Sequence, residues 1–182
     1  MFQELKENLN SFLEKVFDFT NELGIDVSNL EIDHVALRYK DAKDVDTLLE
    51  ELKPLGKILS QATVNGRKIS IIKLNEPFIY KGYTIPCIEL PYPAENHDYP
   101  NDDWEHVEFV LTTTDIDNFE NVFRKSFPNL TEDMLQKYSY SFSIPHADED
   151  QLPNPSVALA KYRGLAIKFH PYSIELVVTS KP

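Results

Sequence analysis

The stretch Asp33-His34-Val35-Ala36-Leu37-Arg38 returns in outline as Glu105-His106-Val107-Glu108-Phe109-Val110. Each copy runs acid, His, Val, in a segment whose side chains alternate between the two faces of a strand. A helix opening follows both, Asp44-Val45-Asp46-Thr47-Leu48-Leu49 in the first half and Asp115-Ile116-Asp117-Asn118-Phe119-Glu120 in the second. Each half closes on a third echo, Ile88-Glu89-Leu90 and Ile174-Glu175-Leu176. Three matched segments in one order point to an internal duplication. They put two histidines and two glutamates at repeat-equivalent places on strands, where a pseudo-twofold axis would bring them together.

Ahead of the first histidine stretch, Phe2, Leu5, Leu9, Phe12, Leu13, Val16, Phe17 and Leu23 recur at three- and four-residue steps and predict an amphipathic helix, stopped at Gly24. Residues 32–39 form a strand with His34, Ala36 and Arg38 on one face and Val35, Leu37 and Tyr39 on the other. Asp44 is expected to cap a helix that ends near Pro54. A strand over 55–64, the hairpin turn Asn65-Gly66, and a strand over 68–74 follow. A turn around Pro77 then leads to a fourth strand over 83–92, on which Glu89 shares a face with Cys87. Residues 93–103 are polar, carry Pro at both ends, and make a linker between halves.

The second half repeats the plan: a strand over 104–111, a helix over 115–126, and strands over 157–161, 165–169 and 173–178. Between them, 138–144 alternates as a strand would, inside an ambiguous stretch over 128–150. The order in each half is strand, helix, three strands. The expected fold class is α+β, one domain over 1–182, with an N-terminal helix (1–30) and two pseudo-symmetric βαβββ modules (31–93 and 104–182).

A net charge of −12 and the lack of any Lys/Arg cluster argue against nucleic-acid binding. No apolar run approaches the ~18 residues of a membrane span. The sole cysteine, Cys87, permits no intrachain disulfide. The N-terminal segment is acidic and amphipathic, unlike a secretory signal. A soluble cytoplasmic protein is expected, as a monomer or homodimer.

Two imidazoles and two carboxylates are a sound donor set for a divalent ion such as zinc, nickel, iron or manganese. The expected metal ligands are His34, Glu89, His106 and Glu175. Arg38, on the face of His34, could clamp a substrate carboxylate or pair with Glu108, Glu89 or another acid. Glu108 shares the face of His106 and could orient a ligand or act as a base. His170 competes as a ligand or a substrate donor. His97 and His146 sit in polar loops and are expected in solvent; Trp104 and Tyr92 could line a cavity. No Ser/His/Asp nucleophile set, phosphate-binding glycine loop or paired-cysteine motif is present. A vestigial site or a purely structural repeat remains open on these residues alone.

The pattern resembles the vicinal oxygen chelate superfamily, whose members pair βαβββ modules around a cupped sheet. Their metal ligands come from the first and fourth strands of each module, which implies His34, Glu89, His106 and Glu175 here. Residues 169–176 (Phe-His-Pro-Tyr-Ser-Ile-Glu-Leu) are similar to the segment that closes that fold, without its Asp and Gly. More narrowly, the chain resembles the YecM family. The stretches that carry this are Asp33–Arg38, Val64-Asn65-Gly66-Arg67, Ile88-Glu89-Leu90-Pro91-Tyr92-Pro93, Trp104–Glu108, Leu152-Pro153-Asn154-Pro155 and Ile167–Pro171. The resemblance implies a divalent-metal protein acting as a lyase, isomerase or oxygenase on a small oxygenated substrate. Glu89 or Glu175 would move a proton, and Arg38, Glu108 and His170 would contact substrate. The alternatives are a non-catalytic module that sequesters a small molecule and a structural protein.

Overall fold

The computed structural model describes residues 1–94, 102–145 and 152–180. Its elements in chain order are α1 (Phe2–Glu22), β1 (Glu31–Arg38), α2 (Ala42–Leu52), β2 (Gly56–Val64), β3 (Arg67–Tyr80), β4 (Tyr83–Pro91), β5 (Asp103–Val110), α3 (Phe119–Ser126), α4 (Glu132–Lys137), β6 (Ser141–Ser143), β7 (Ser156–Tyr162), β8 (Leu165–His170) and α5 (Ile174–Thr179). The eight strands form one open, mixed, cupped sheet in the order β2-β3-β4-β1-β5-β8-β7-β6.

That order is symmetric about the β1–β5 junction. β1 pairs parallel with β4, and β5 pairs parallel with β8. The two halves join through the antiparallel β1–β5 pair. The first strand of each half therefore lies at the centre of the sheet, and the fourth lies beside it. This is the duplication read from the two histidine stretches.

One face of the sheet is covered by helices. Leu5, Leu9, Phe12, Leu13, Val16 and Phe19 form the buried stripe of α1, and α2 contributes Val45, Leu48, Leu49 and Leu52. They pack in one core with Val35, Leu37, Ile88, Leu90, Val107, Phe109, Ile167 and Phe169. Alternation on the strands then sends His34, Ala36, Glu89, His106, Glu108 and Lys168 to the opposite, concave face.

Several expected boundaries shift. The α2 cap is Asp41, whose side chain accepts from Lys43 N at 2.8 Å, so the helix opens before Asp44. β3 runs past Pro77 to Tyr80, with a break in its pairing to β4 between Lys73 and Phe78 that accommodates the missing N–H. The turn between β3 and β4 is Lys81-Gly82, both at positive φ. Asn65 and Gly66, at φ 50° and 78°, make the expected hairpin. Of 138–144, three residues are strand, paired to β7 at the sheet edge.

The largest correction is at the end. Residues 173–178 are not a strand: Ile174–Thr179 is helix α5. β8 is already flanked by β5 and β7, so no edge is left for another strand there. Ser173 caps the helix by accepting from Leu176 N at 3.3 Å. Among the described residues no helix is long and apolar enough to cross a membrane. His97, His146 and most of the 93–103 linker lie outside the described residues.

Candidate metal centre

Both central strands carry a bulge at the residue before the histidine. Ile32 pairs with Phe109 and His34 with Glu108, so Asp33 is the extra residue on β1. Ala36 pairs with His106 and Leu37 with Trp104, so Glu105 is the extra residue on β5. A bulge breaks the two-residue alternation and re-aims side chains. Ile32 and Trp104 accordingly join the helix-side core, and Trp104 Nε1 donates to Leu5 O at 2.8 Å. Trp104 is therefore a core residue. Tyr92 stands beside α2, its hydroxyl donating to Asp46 at 2.5 Å.

The bulges let each acid reach the ring of the histidine that follows it. His34 Nδ1 lies 2.8 Å from Asp33 Oδ2, and His106 Nδ1 lies 3.2 Å from Glu105 Oε2. A carboxylate on Nδ1 fixes the tautomer in which Nε2 carries the free lone pair. Both Nε2 atoms point to one place. From His34 Nε2 it is 3.7 Å to Glu89 Oε2 and 3.5 Å to Glu108 Oε1. From His106 Nε2 it is 3.8 Å to Glu89 Oε1 and 3.2 Å to Glu108 Oε1. His34, Glu89, His106 and Glu108 are all buried, with donor atoms within 4.8 Å of one another.

Three observations fit this set to a divalent ion. Ligands bound at about 2.0–2.2 Å stand roughly 3.0–3.5 Å apart around a shared ion, close to the separations found here. Among the described residues, buried His34 Nε2 has no hydrogen-bond partner, which normally costs about 1–3 kcal/mol. The charges also balance. Asp33, Glu89, Glu105 and Glu108 bring four negative charges, and Arg38 and Lys168 return two, so neutral imidazoles leave a deficit that one divalent cation fills. Carboxylates buried this deeply are strongly destabilising unless compensated.

The electrostatics of the protein alone show the same demand. Burial would lower the basicity of His34, but Glu108 and Asp33 override it and raise its pKa to about 10. Burial would raise Asp33, yet His170 and His34 hold it at about 2. Glu105 is likewise held at about 2 against burial, by His106 and Arg38. Glu89 and Glu108 are both lowered despite burial, Lys168 being the largest attraction on each.

The sequence-derived residues divide clearly. His34, His106 and Glu89 meet, and Glu108 joins them where Glu175 was expected. Glu175 lies on α5, half exposed, with both carboxylate oxygens 2.7 Å from Lys73 Nζ. Arg38 donates to Glu105, and so anchors the acid that orients His106. His170, buried at the end of β8, receives Asn154 Nδ2 at 2.9 Å and lies 3.3 Å from both Asp33 and Glu108.

Lys168 was not singled out from sequence. On β4, Glu89 stands opposite Ala36, two residues past His34. On β8, Lys168 stands opposite Glu108, two residues past His106. The repeat partner of Ile88-Glu89-Leu90 is thus Ile167-Lys168-Phe169. Lys168 Nζ donates to Glu108 Oε1 at 2.9 Å. Over this floor lies a cavity of about 580 Å³, reached by His34, Glu89, Glu108, Lys168 and His170. That volume suits a small organic ligand.

A family model described as YecM protein matches residues 1–181. The chain belongs to the YecM family. It is 36% identical over 178 residues to an uncharacterized protein of Haemophilus influenzae, covering 94% of this chain and 90% of that one. It is 30% identical over 181 residues to Protein YecM of Escherichia coli, covering 98% and 93%. A solved structure described as Structural Genomics, Protein EC4020, is similar with a TM-score of 0.80 at 30% identity, over 99% of this chain and 92% of that one. None of these descriptions assigns an activity to the family.

Proposed function

We propose that this YecM-family protein is a divalent-metal enzyme of the vicinal oxygen chelate type, a lyase, isomerase or oxygenase acting on a small oxygenated molecule. The observation that carries the reading is the convergence of two carboxylate-oriented Nε2 atoms with Glu89 and Glu108 beneath a cavity. A divalent ion, when bound, supplies Lewis acidity to a substrate oxygen.

The chain's own groups do the rest. Asp33 and Glu105 keep the lone pairs of His34 and His106 aimed at the centre. Glu89, at the cavity floor and without a hydrogen-bonded lysine of its own, takes the role of proton acceptor and donor. Lys168 steadies negative charge developing on substrate oxygen beside Glu108. Ile174, Val177 and Val178 of α5 line the cavity and limit water around these groups. One chain carries every group named, so a monomer suffices.

The set of four protein donors also supports a second reading, a binding module. Four donors close a tetrahedral shell, whereas an ion taking six keeps two positions for substrate. Solvent-deuterium incorporation next to the carbonyl of small hydroxyketones and hydroxyaldehydes tests the enzyme reading. Exchange by the zinc-, nickel-, iron- or manganese-loaded protein is expected, lost in Glu89→Gln assayed with enough added metal to keep its site loaded. An ion-loaded protein that binds such compounds without exchange, cleavage or oxidation would favour the binding module.

A further inference from the structure

Among the described residues that line the cavity, one cation is not used by the centre. Arg67, the first residue of β3, is half-buried and lines the cavity. Among the described residues no hydrogen bond or ion pair engages it. The other two cations near the centre are held, Arg38 by Glu105 and Lys168 by Glu108. With a divalent ion the centre is neutral, and Arg67 is then the charge in the described lining that lacks a counter-charge.

The walls between Arg67 and the centre are unlike each other. Ala62 and Val64 of β2 and Ile69 and Ile71 of β3 make one wall aliphatic. Ser141, Ser143 and Ser156, from β6 and β7, place hydroxyls on the facing wall beside the apolar Ala158. Ser156 Oγ is buried and, among the described residues, has no hydrogen-bond partner. Arg67, Ile69 and Ile71 share a face of β3, and Ile71 stands opposite Glu89. Four residue steps along β3 therefore separate Arg67 from the level of the centre, roughly 13 Å of strand, part of which the guanidinium spans.

We propose that the cavity binds a small organic acid lengthwise along β3, its carboxylate on Arg67 and its oxygen-bearing far end at the His34–Glu108–Lys168 centre. The planar guanidinium accepts a carboxylate in two parallel hydrogen bonds. The aliphatic wall takes a hydrocarbon middle of about five methylenes along that span, and Ser156 offers its hydroxyl to the ligand's other edge. The identity of the far-end contacts rests on the metal reading; the carboxylate subsite rests on Arg67 and the cavity.

The test is a ¹H–¹⁵N NMR titration of metal-loaded full-length protein with 6-hydroxyhexanoate, 4-hydroxybutyrate and neutral 1,6-hexanediol. Wild type, Arg67→Gln and Arg67→Lys are compared, with metal content measured on the same samples. In wild type, 6-hydroxyhexanoate should bind about tenfold tighter than the diol and tighter than the shorter acid. Arg67→Gln should abolish that preference and Arg67→Lys keep part of it, with metal content unchanged in both. Equal binding of acid and diol, binding of neither, or a preference that survives Arg67→Gln would overturn the proposal. Samples without metal would sink the metal reading by itself, while an Arg67-dependent acid preference in them would still uphold the subsite.

Discussion

Glu89 and Lys168 occupy equivalent places in the two halves of the sheet, each facing the residue two beyond a strand-borne histidine. The duplication is therefore symmetric in backbone and opposite in charge at this pair. One half supplies a carboxylate to the centre. The other supplies an ammonium, which bonds to Glu108, and Glu108 supplies the second carboxylate from β5. In the proposed centre, this asymmetry sets a metal-ligating side apart from a side that would meet substrate oxygen.

Lys168→Met tests that division. Removing the ammonium leaves the ion-loaded centre with one uncompensated negative charge, so divalent-cation affinity should rise, by about tenfold if the change is worth ~1.4 kcal/mol. Competition against a chelating dye measures this. An affinity that falls by a similar factor would mean Lys168 organises Glu108 for the ion rather than competing with it.

Asp33 has two duties, accepting from His34 Nδ1 and from Ile174 N, at 3.0 and 2.9 Å to its two oxygens. Asp33→Asn should cost about 10- to 100-fold in metal affinity, the usual range for loss of a carboxylate behind a ligating imidazole. It should also raise amide hydrogen exchange at the start of α5. Glu105→Gln should weaken metal binding without touching α5 exchange.

Without metal, His34 keeps its proton up to about pH 10. An imidazole must give up that proton to bind through Nε2, so metal uptake near neutral pH should release a proton and weaken as pH falls. Calorimetry in two buffers of different ionisation enthalpy reads the release directly. The same shift has a sign for stability. His34's pKa is raised on folding, so its contribution to the metal-free protein is full below about pH 6.5 and is lost as pH rises through about 10. Denaturant midpoints of metal-free wild type and His34→Gln should converge above that range.

The ion pair between Glu175 and Lys73 has both side chains 42% exposed. Glu175→Gln should leave metal content unchanged and alter stability by no more than about 1 kcal/mol. Metal analysis and thermal melting on one sample check both. Loss of metal in this variant would restore Glu175 to the centre.

The legible part of this fold was what repetition made loud. Two acid–His–Val runs marked β1 and β5, and Asn65-Gly66 marked the β2–β3 hairpin. Alternation placed Glu108 on the face of His106 correctly, though its place among the four converging donors was not foreseen. The rest was hidden for physical reasons. Ile-Glu-Leu is equally compatible with a strand and a helix, so residues 174–176 imitated 88–90, while the true counterpart had changed its acid to Lys168. Asp33 and Glu105 were sent by strict alternation to the wrong face, because a bulge depends on cross-strand register that one strand's residues do not reveal.

His34, Glu89, His106 and Glu108 are proposed to hold one divalent ion. The most direct measurement is elemental analysis of tag-free protein purified without chelator, beside His106→Ala, with both checked for folding by circular dichroism. Close to one equivalent of a transition metal in wild type, lost in the folded variant, is the predicted result. A wild-type protein that carries no metal and takes none up on titration would rule out a divalent-metal site at these four residues.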